Sequence, residues 1–167
     1  MEKEITEVYC GNGRGKTTLA IGQALRASSQ GKSMIIIQFL KGNERRELDF
    51  LEELDQLDIK IFRFEKMESC YDQLNEEEQA EEERNILNGL NFARKVIATQ
   101  ECDFLVLDEI LGLLDKHIAT VDMVVGLLKQ KDESMHLILT GNRVDPGILD
   151  YVDSVTTITT LGREQNS

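Results

Sequence analysis

Tryptophan is absent from this 167-residue chain, proline occurs once, and aromatic residues make up only 5%. So little proline argues against Pro-rich linkers and disordered stretches. Cysteine is also scarce: Cys10, Cys70 and Cys102 are odd in number, far apart, and form no Cys-x-x-Cys pair. With only His117 and His136 beside them, no structural zinc site is expected. A chain of this length buries roughly 70% of its unfolded surface and needs no covalent staple. The thiols therefore point to a reduced, cytoplasmic protein. Basic residues are in deficit, 19 Lys and Arg against 31 Asp and Glu, for a net charge of −12. That balance excludes nucleic acid or an anionic membrane surface as a broad partner. It leaves room for a small anion in a local basic pocket. No run approaches the ~18 apolar residues of a membrane span, and Met1-Glu2-Lys3-Glu4 has no secretory apolar core.

What is present is an alternation of apolar runs and helical patterns. Strands are expected at Glu4 to Tyr9, Ser33 to Phe39, Asp58 to Phe64, Phe104 to Leu107, Met135 to Thr140 and Ser154 to Thr159. Helices are expected at Thr17 to Ser29, with Gly31 as a stop, and at Glu44 to Leu54, Leu74 to Thr99, Val121 to Lys131 and Pro146 to Val152. Strands such as SMIIIQF are apolar throughout, as burial on both faces requires. This order implies a mostly parallel sheet with helices on both faces. The run Glu76 to Glu83 has six glutamates in eight residues. It reads as the solvated first turns of a helix, where acids complement the dipole. Residues 1–167 are read as one nucleotide-binding domain.

The chemistry lies in Cys10-Gly11-Asn12-Gly13-Arg14-Gly15-Lys16-Thr17-Thr18. The segment follows an expected strand and opens an expected helix, the setting of a phosphate loop. Glycines let the backbone curl so that successive N–H groups meet one anion. The helix N-terminus adds partial positive charge. Lys16 supplies an ammonium for the phosphates and Thr17 a hydroxyl for Mg²⁺. Cys10 stands where the usual pattern begins with Gly, and it reads as a small residue filling the turn rather than a nucleophile.

Phe104 to Leu107 runs into Asp108-Glu109. Parallel strands expose their C-terminal ends along one edge, so these acids face the loop across adjacent strands. Asp108 and Glu109, with Thr17, are the candidate Mg²⁺ ligands. Gln38 to Gly42 leaves the second strand at the same edge and brings Lys41 toward phosphate, with Arg45 and Arg46 behind it. Thr140-Gly141-Asn142-Arg143 leaves the fifth strand and offers Arg143 as a nucleotide contact. His136 reads as structural. Lys16 and Glu109 are the candidate catalytic residues.

Taken together, these segments resemble the ATP:corrinoid adenosyltransferases of cobalamin biosynthesis and salvage. That family's loop reads like GNGKGKTT, against GNGRGKTT at Gly11 to Thr18. Its second strand exits like Gln38 to Gly42, QFLKG. Its acidic strand is matched from Leu105, with a following helix like Ile110 to Lys131. Its fifth strand and an AD-x-V-T segment are matched in part by Leu137 to Gly141 and by Asp153 to Thr156. The resemblance spans roughly Val8 to Thr160. It implies a three-layer α/β phosphate-loop NTPase (RecA-like) fold. It also implies a reaction: cobalt(I) of a corrinoid attacks the ribose C5′ of ATP and triphosphate leaves. ATP, Mg²⁺ and the corrinoid are then the small molecules bound, with a homodimer and a reductase as partners. Trp-containing segments usual in the family have no counterpart here, and Phe62 to Leu74 reads FRFEKMESCYDQL. Asn142 stands where the family has Arg. Two alternatives stand beside this one. A kinase or NTPase would use Glu109 to activate the attacking group and Arg143 to stabilise charge. A non-catalytic nucleotide-binding module would have lost the corrinoid site.

Overall fold

Six short apolar segments become strands: β1 (Thr6–Cys10), β2 (Met34–Gln38), β3 (Ile59–Arg63), β4 (Phe104–Asp108), β5 (His136–Thr140) and β6 (Ser154–Thr157). The computed structural model describes residues 3–40, 48–65 and 69–162. The strands form one sheet in the order β3-β2-β4-β5-β1-β6, and every pairing in it is parallel. Helices α1 (Lys16–Ser28), α2 (Glu76–Thr99), α3 (Ile110–Asp115), α4 (Val121–Gln130) and α5 (Pro146–Leu149) lie in the crossovers other than that from β2 to β3.

The core has two halves because successive strand side chains point to opposite faces. Met34 and Ile36 pack with Val106, Ile138 and the alanines Ala20, Ala24 and Ala27 of α1. Ile35 and Ile37 pack with Leu105, Leu107 and the apolar faces of α2, α3 and α4. β2 and β4 are buried along their whole length. The result is the three-layer α/β arrangement.

Three local expectations change. Helix was expected over Glu44 to Leu54; residues 41–47 lie outside the described residues, and Asp49–Glu53 is a 3-10 helix. Its buried Leu51, with Leu48 before it, follows the i, i+3 spacing that a 3-10 turn shares with an α-helix. The stretch Ile110 to Lys131 divides into α3 and α4. The break falls where His117 takes φ +56 and the Thr120 hydroxyl caps α4 by accepting from Met123 N–H. The acidic run opens α2 through a reciprocal box: Asn75 accepts from Glu78 N–H, and the Glu78 carboxylate accepts from Asn75 N–H. Glu82, however, is buried rather than solvated. It accepts from Asn85 Nδ2, because one turn of the run faces the core.

Candidate active site

The loop leaves β1 at the C-terminal edge of the sheet and is shaped from behind by the chain after β6. Gly13 N–H donates to the Ile158 carbonyl at 2.8 Å, and Ile158 N–H donates to the Cys10 carbonyl at 2.8 Å. Arg14 N–H donates to Thr160 Oγ1 at 2.8 Å, and Gly11 N–H to the Asn142 carbonyl at 2.8 Å. A Cβ on Gly11 or Gly13 would lie 2.3 or 2.6 Å from the Ile158 oxygen. Glycine at Gly13 is therefore a matter of space, and at Gly11 of space and of backbone, with φ +109. At Gly15 it is a matter of backbone: φ is +97, and nothing lies near a Cβ there. Cys10 is buried with Sγ 3.6 Å from Thr157 Oγ1, so it fills the turn on the side facing β6.

The amides of Gly11, Gly13 and Arg14 thus serve the loop's own framework. Those of Gly15, Lys16, Thr17 and Thr18 open α1, where the first four N–H groups have no intrahelical acceptor. The anion-facing nest is concentrated at this helix start rather than spread along the loop. The Lys16 ammonium lies over the loop, donating to the carbonyls of Gly11 at 2.7 Å and Gly13 at 3.1 Å. A cavity of about 560 Å³ opens here. It is lined by Gly13 to Thr18 and by Ile21, Gln38, Leu48 and Glu109.

Asp108 is completely buried at the end of β4. Its Oδ1 accepts from Thr17 Oγ1 at 2.9 Å and from Thr140 Oγ1 at 2.8 Å. Its Oδ2 accepts from Gln38 Nε2 at 3.2 Å. The expectation of adjacent strands needs correcting. β5 lies between β4 and β1, and Thr140 at its end spans the gap, also accepting from Glu109 N–H at 2.8 Å. Glu109 follows at φ +64, in the left-handed region rarely taken by a residue with a Cβ. That turn from strand into α3 sets its side chain at the cavity wall.

Hydroxyl and carboxylate oxygens of Thr17, Asp108 and Glu109 form a hard-oxygen donor set. Among the described residues no group of three His, Cys, Asp or Glu gathers to hold a metal. A pair of carboxylates plus a hydroxyl suits Mg²⁺, which takes few protein ligands and completes its octahedron with water and phosphate oxygens.

Lys16, Thr17, Asp108 and Glu109 are brought together. Asn12 is exposed at the loop tip. Lys41, with Arg45 and Arg46, lies outside the described residues. Arg143 is held elsewhere: its Nε donates to Asp115 Oδ1 at 2.6 Å, and it lines a second cavity with Leu114 and Pro146. Sequence reasoning missed Arg63 and Asp49. Arg63 Nε donates to Gln38 Oε1 at 2.9 Å and its Nη1 meets Asp49 Oδ1 at 2.7 Å. A polar Gln closing an otherwise apolar strand was the available signal.

The chain is similar to known proteins both in fold and in sequence. In fold, the chain is similar to a KaiC-like protein from the archaeon Pyrococcus horikoshii. The TM-score is 0.62 at 19% identity, covering 93% of this chain and 71% of that one. In sequence, it is 29% identical over 160 residues to the corrinoid adenosyltransferase of Escherichia coli, covering 93% of this chain and 76% of the relative. It is 28% identical over 158 residues to the corrinoid adenosyltransferase CobA of Salmonella typhimurium, with coverage of 93% and 76%. The family model described as ATP:corrinoid adenosyltransferase BtuR/CobO/CobP matches residues 2–165, and the chain belongs to that family.

Proposed function

We propose that this protein transfers the 5′-deoxyadenosyl group of ATP to a cobalt(I) corrinoid and releases triphosphate. In the step, the cobalt electron pair forms the cobalt–carbon bond at C5′. The C5′–O bond breaks, and its electron pair leaves with the triphosphate. Charge accumulates on the departing phosphates, so stabilisation is needed there more than any general base. The observation that carries this reading is the meeting of the α1 amides and Lys16 with the Thr17–Asp108 pair at one corner of the cavity. Fixed N–H dipoles and an ammonium act strongly on such charge because they need no reorganisation. Glu109 at the cavity wall and Asp108 behind Thr17 are the acids that would hold Mg²⁺. When bound, the metal neutralises phosphate charge.

Residues 1–167 act in this reading as one domain in a reducing, cytoplasmic setting. All three cysteines are free, and burial pushes the Cys102 thiol up to about 12, which suits an inert residue. No helix among the described residues is long and apolar enough to cross a membrane. A second copy of the chain and a reductase supplying cobalt(I) are further parts of the proposal, carried by the family.

The test is an anaerobic reaction of the protein with ATP, Mg²⁺ and chemically reduced cobalamin. Loss of the cobalt(I) absorbance with adenosylcobalamin and triphosphate formed in equal amounts is the expected outcome. ATP binding with no cobalt–carbon product, or ADP as the product, would overturn the proposal.

A further inference from the structure

Arg63, Gln38 and Asp108 stand side by side in the last row of the sheet. Gln38 is the registered partner of Arg63 on β3 and of Asp108 on β4. Residues in one row point to one face, and here they form a chain of hydrogen bonds. Asp49 Oδ1 accepts from Arg63 Nη1, Gln38 Oε1 accepts from Arg63 Nε, and Asp108 Oδ2 accepts from Gln38 Nε2. Gln38 is 4% exposed and the Arg63 side chain 18%.

We infer that Gln38 and Arg63 are positioning residues that fix the Asp108 carboxylate toward Thr17 and the phosphate corner. The inference rests on the proposed role of Asp108 at Mg²⁺. A guanidinium can only donate, so it must face the oxygen of the Gln38 amide. The NH₂ end is thereby forced onto Asp108. Without Arg63 the amide can turn over and set its oxygen against a carboxylate oxygen. Without Gln38 the carboxylate loses the amide donor that sets the direction of Oδ2. Asp49, on the 3-10 segment that follows Leu48, holds the far end of the guanidinium. The segment beside the cavity is thus tied to the same carboxylate.

Groups behind a metal ligand typically alter metal affinity 10- to 100-fold when removed. The test measures ATP binding by calorimetry in excess Mg²⁺ and in chelator, with the melting temperature of each variant. Asp108→Asn serves as the reference. Gln38→Met and Arg63→Met are expected to weaken binding about tenfold with Mg²⁺ and less than about twofold in chelator. Gln38→Glu keeps the acceptor for Arg63 but has no proton for Asp108 when ionised. It is expected to lose at least as much as Gln38→Met, whereas a residue that only ties β2 to β3 would tolerate it. Should the buried variants fail to fold, Asp49→Asn at the half-exposed end of the chain decides, with a smaller loss of the same Mg²⁺-specific kind. Equal losses with and without metal overturn the inference. So does a Mg²⁺-specific loss confined to Asp108→Asn, which leaves the role of Asp108 standing. No Mg²⁺-specific loss in Asp108→Asn removes that role and the inference with it.

Discussion

At the C-terminal end of the sheet Asp108 is held by two hydroxyls and an amide. At the N-terminal end, Glu4 has a cationic partner and Glu7 an imidazole. Glu4 pairs with Lys32 and with His136 Nδ1 at 3.2 Å, while Glu7 meets His136 Nε2 at 2.7 Å. The imidazole stacks on Phe104 at 4.4 Å between ring centroids. Both of its nitrogens face carboxylate oxygens. The difference teaches what each carboxylate is for. The neutral donors at Asp108 direct its oxygens toward particular partners around the loop. At Glu4 the cationic partner consumes the charge locally.

The largest effect that would test this contrast comes from the ligand side. Lys16→Ala removes the ammonium over the loop and is expected to weaken ATP binding by about a hundredfold or more. Calorimetry showing unchanged affinity would rule out the phosphate-loop role. A middle effect is expected from Gly13→Ala. Its methyl must displace the Ile158 carbonyl, at a cost of roughly 1–3 kcal/mol, and deform the loop. Both the melting temperature and ATP affinity should fall, and a fall in neither would deny that the chain after β6 shapes the loop. The smallest effect belongs to the N-terminal end. Glu4→Gln is expected to lower the melting temperature by roughly 2–4 °C with ATP affinity unchanged.

The Glu4 substitution also carries a pH signature. The hydrogen bond from Lys32 holds the Glu4 carboxyl below its ordinary value of 4.5, against burial, with His136 assisting. The folded form therefore gives up the proton more readily than the unfolded one. Its stabilisation is complete above pH 4.5 and is lost as the pH falls below that value. The gap in melting temperature between the native protein and Glu4→Gln should shrink on going from about pH 6 to about pH 3. A gap that stays constant would assign the effect to packing.

Local chemistry was legible in the sequence, and register was not. Lys16 and Thr17 follow a glycine-rich turn between strand and helix, so their setting is written in neighbouring residues. Asp108 could be read as an acid ending an apolar strand, and β2 as a strand buried on both faces. Arg63 and Asp49 could not be placed, because their role depends on β3 lying beside β2 in one particular register. The direction of the Gly13 amide depends on Ile158, far along the chain. Periodicity alone did not mark α3, because Ile110 to Leu113 are all buried, which erases the period of an amphipathic helix. Glu82 misled because charge alone does not say which side of a helix a residue occupies.

The hydrogen bonds between the loop and residues 158 and 160 also bear on the order of assembly. β1 is made before β2 to β4, yet its sheet neighbours are β5 and β6, which follow them in the sequence. During synthesis the glycine-rich turn leaves the ribosome well ahead of its backing, since Arg14 and Thr160 are 146 residues apart. Such long-range closure is slow. A nascent chain ending before Ile158 should not retain ATP, however well its first helix has formed. Nucleotide capture would then report that β6 has docked.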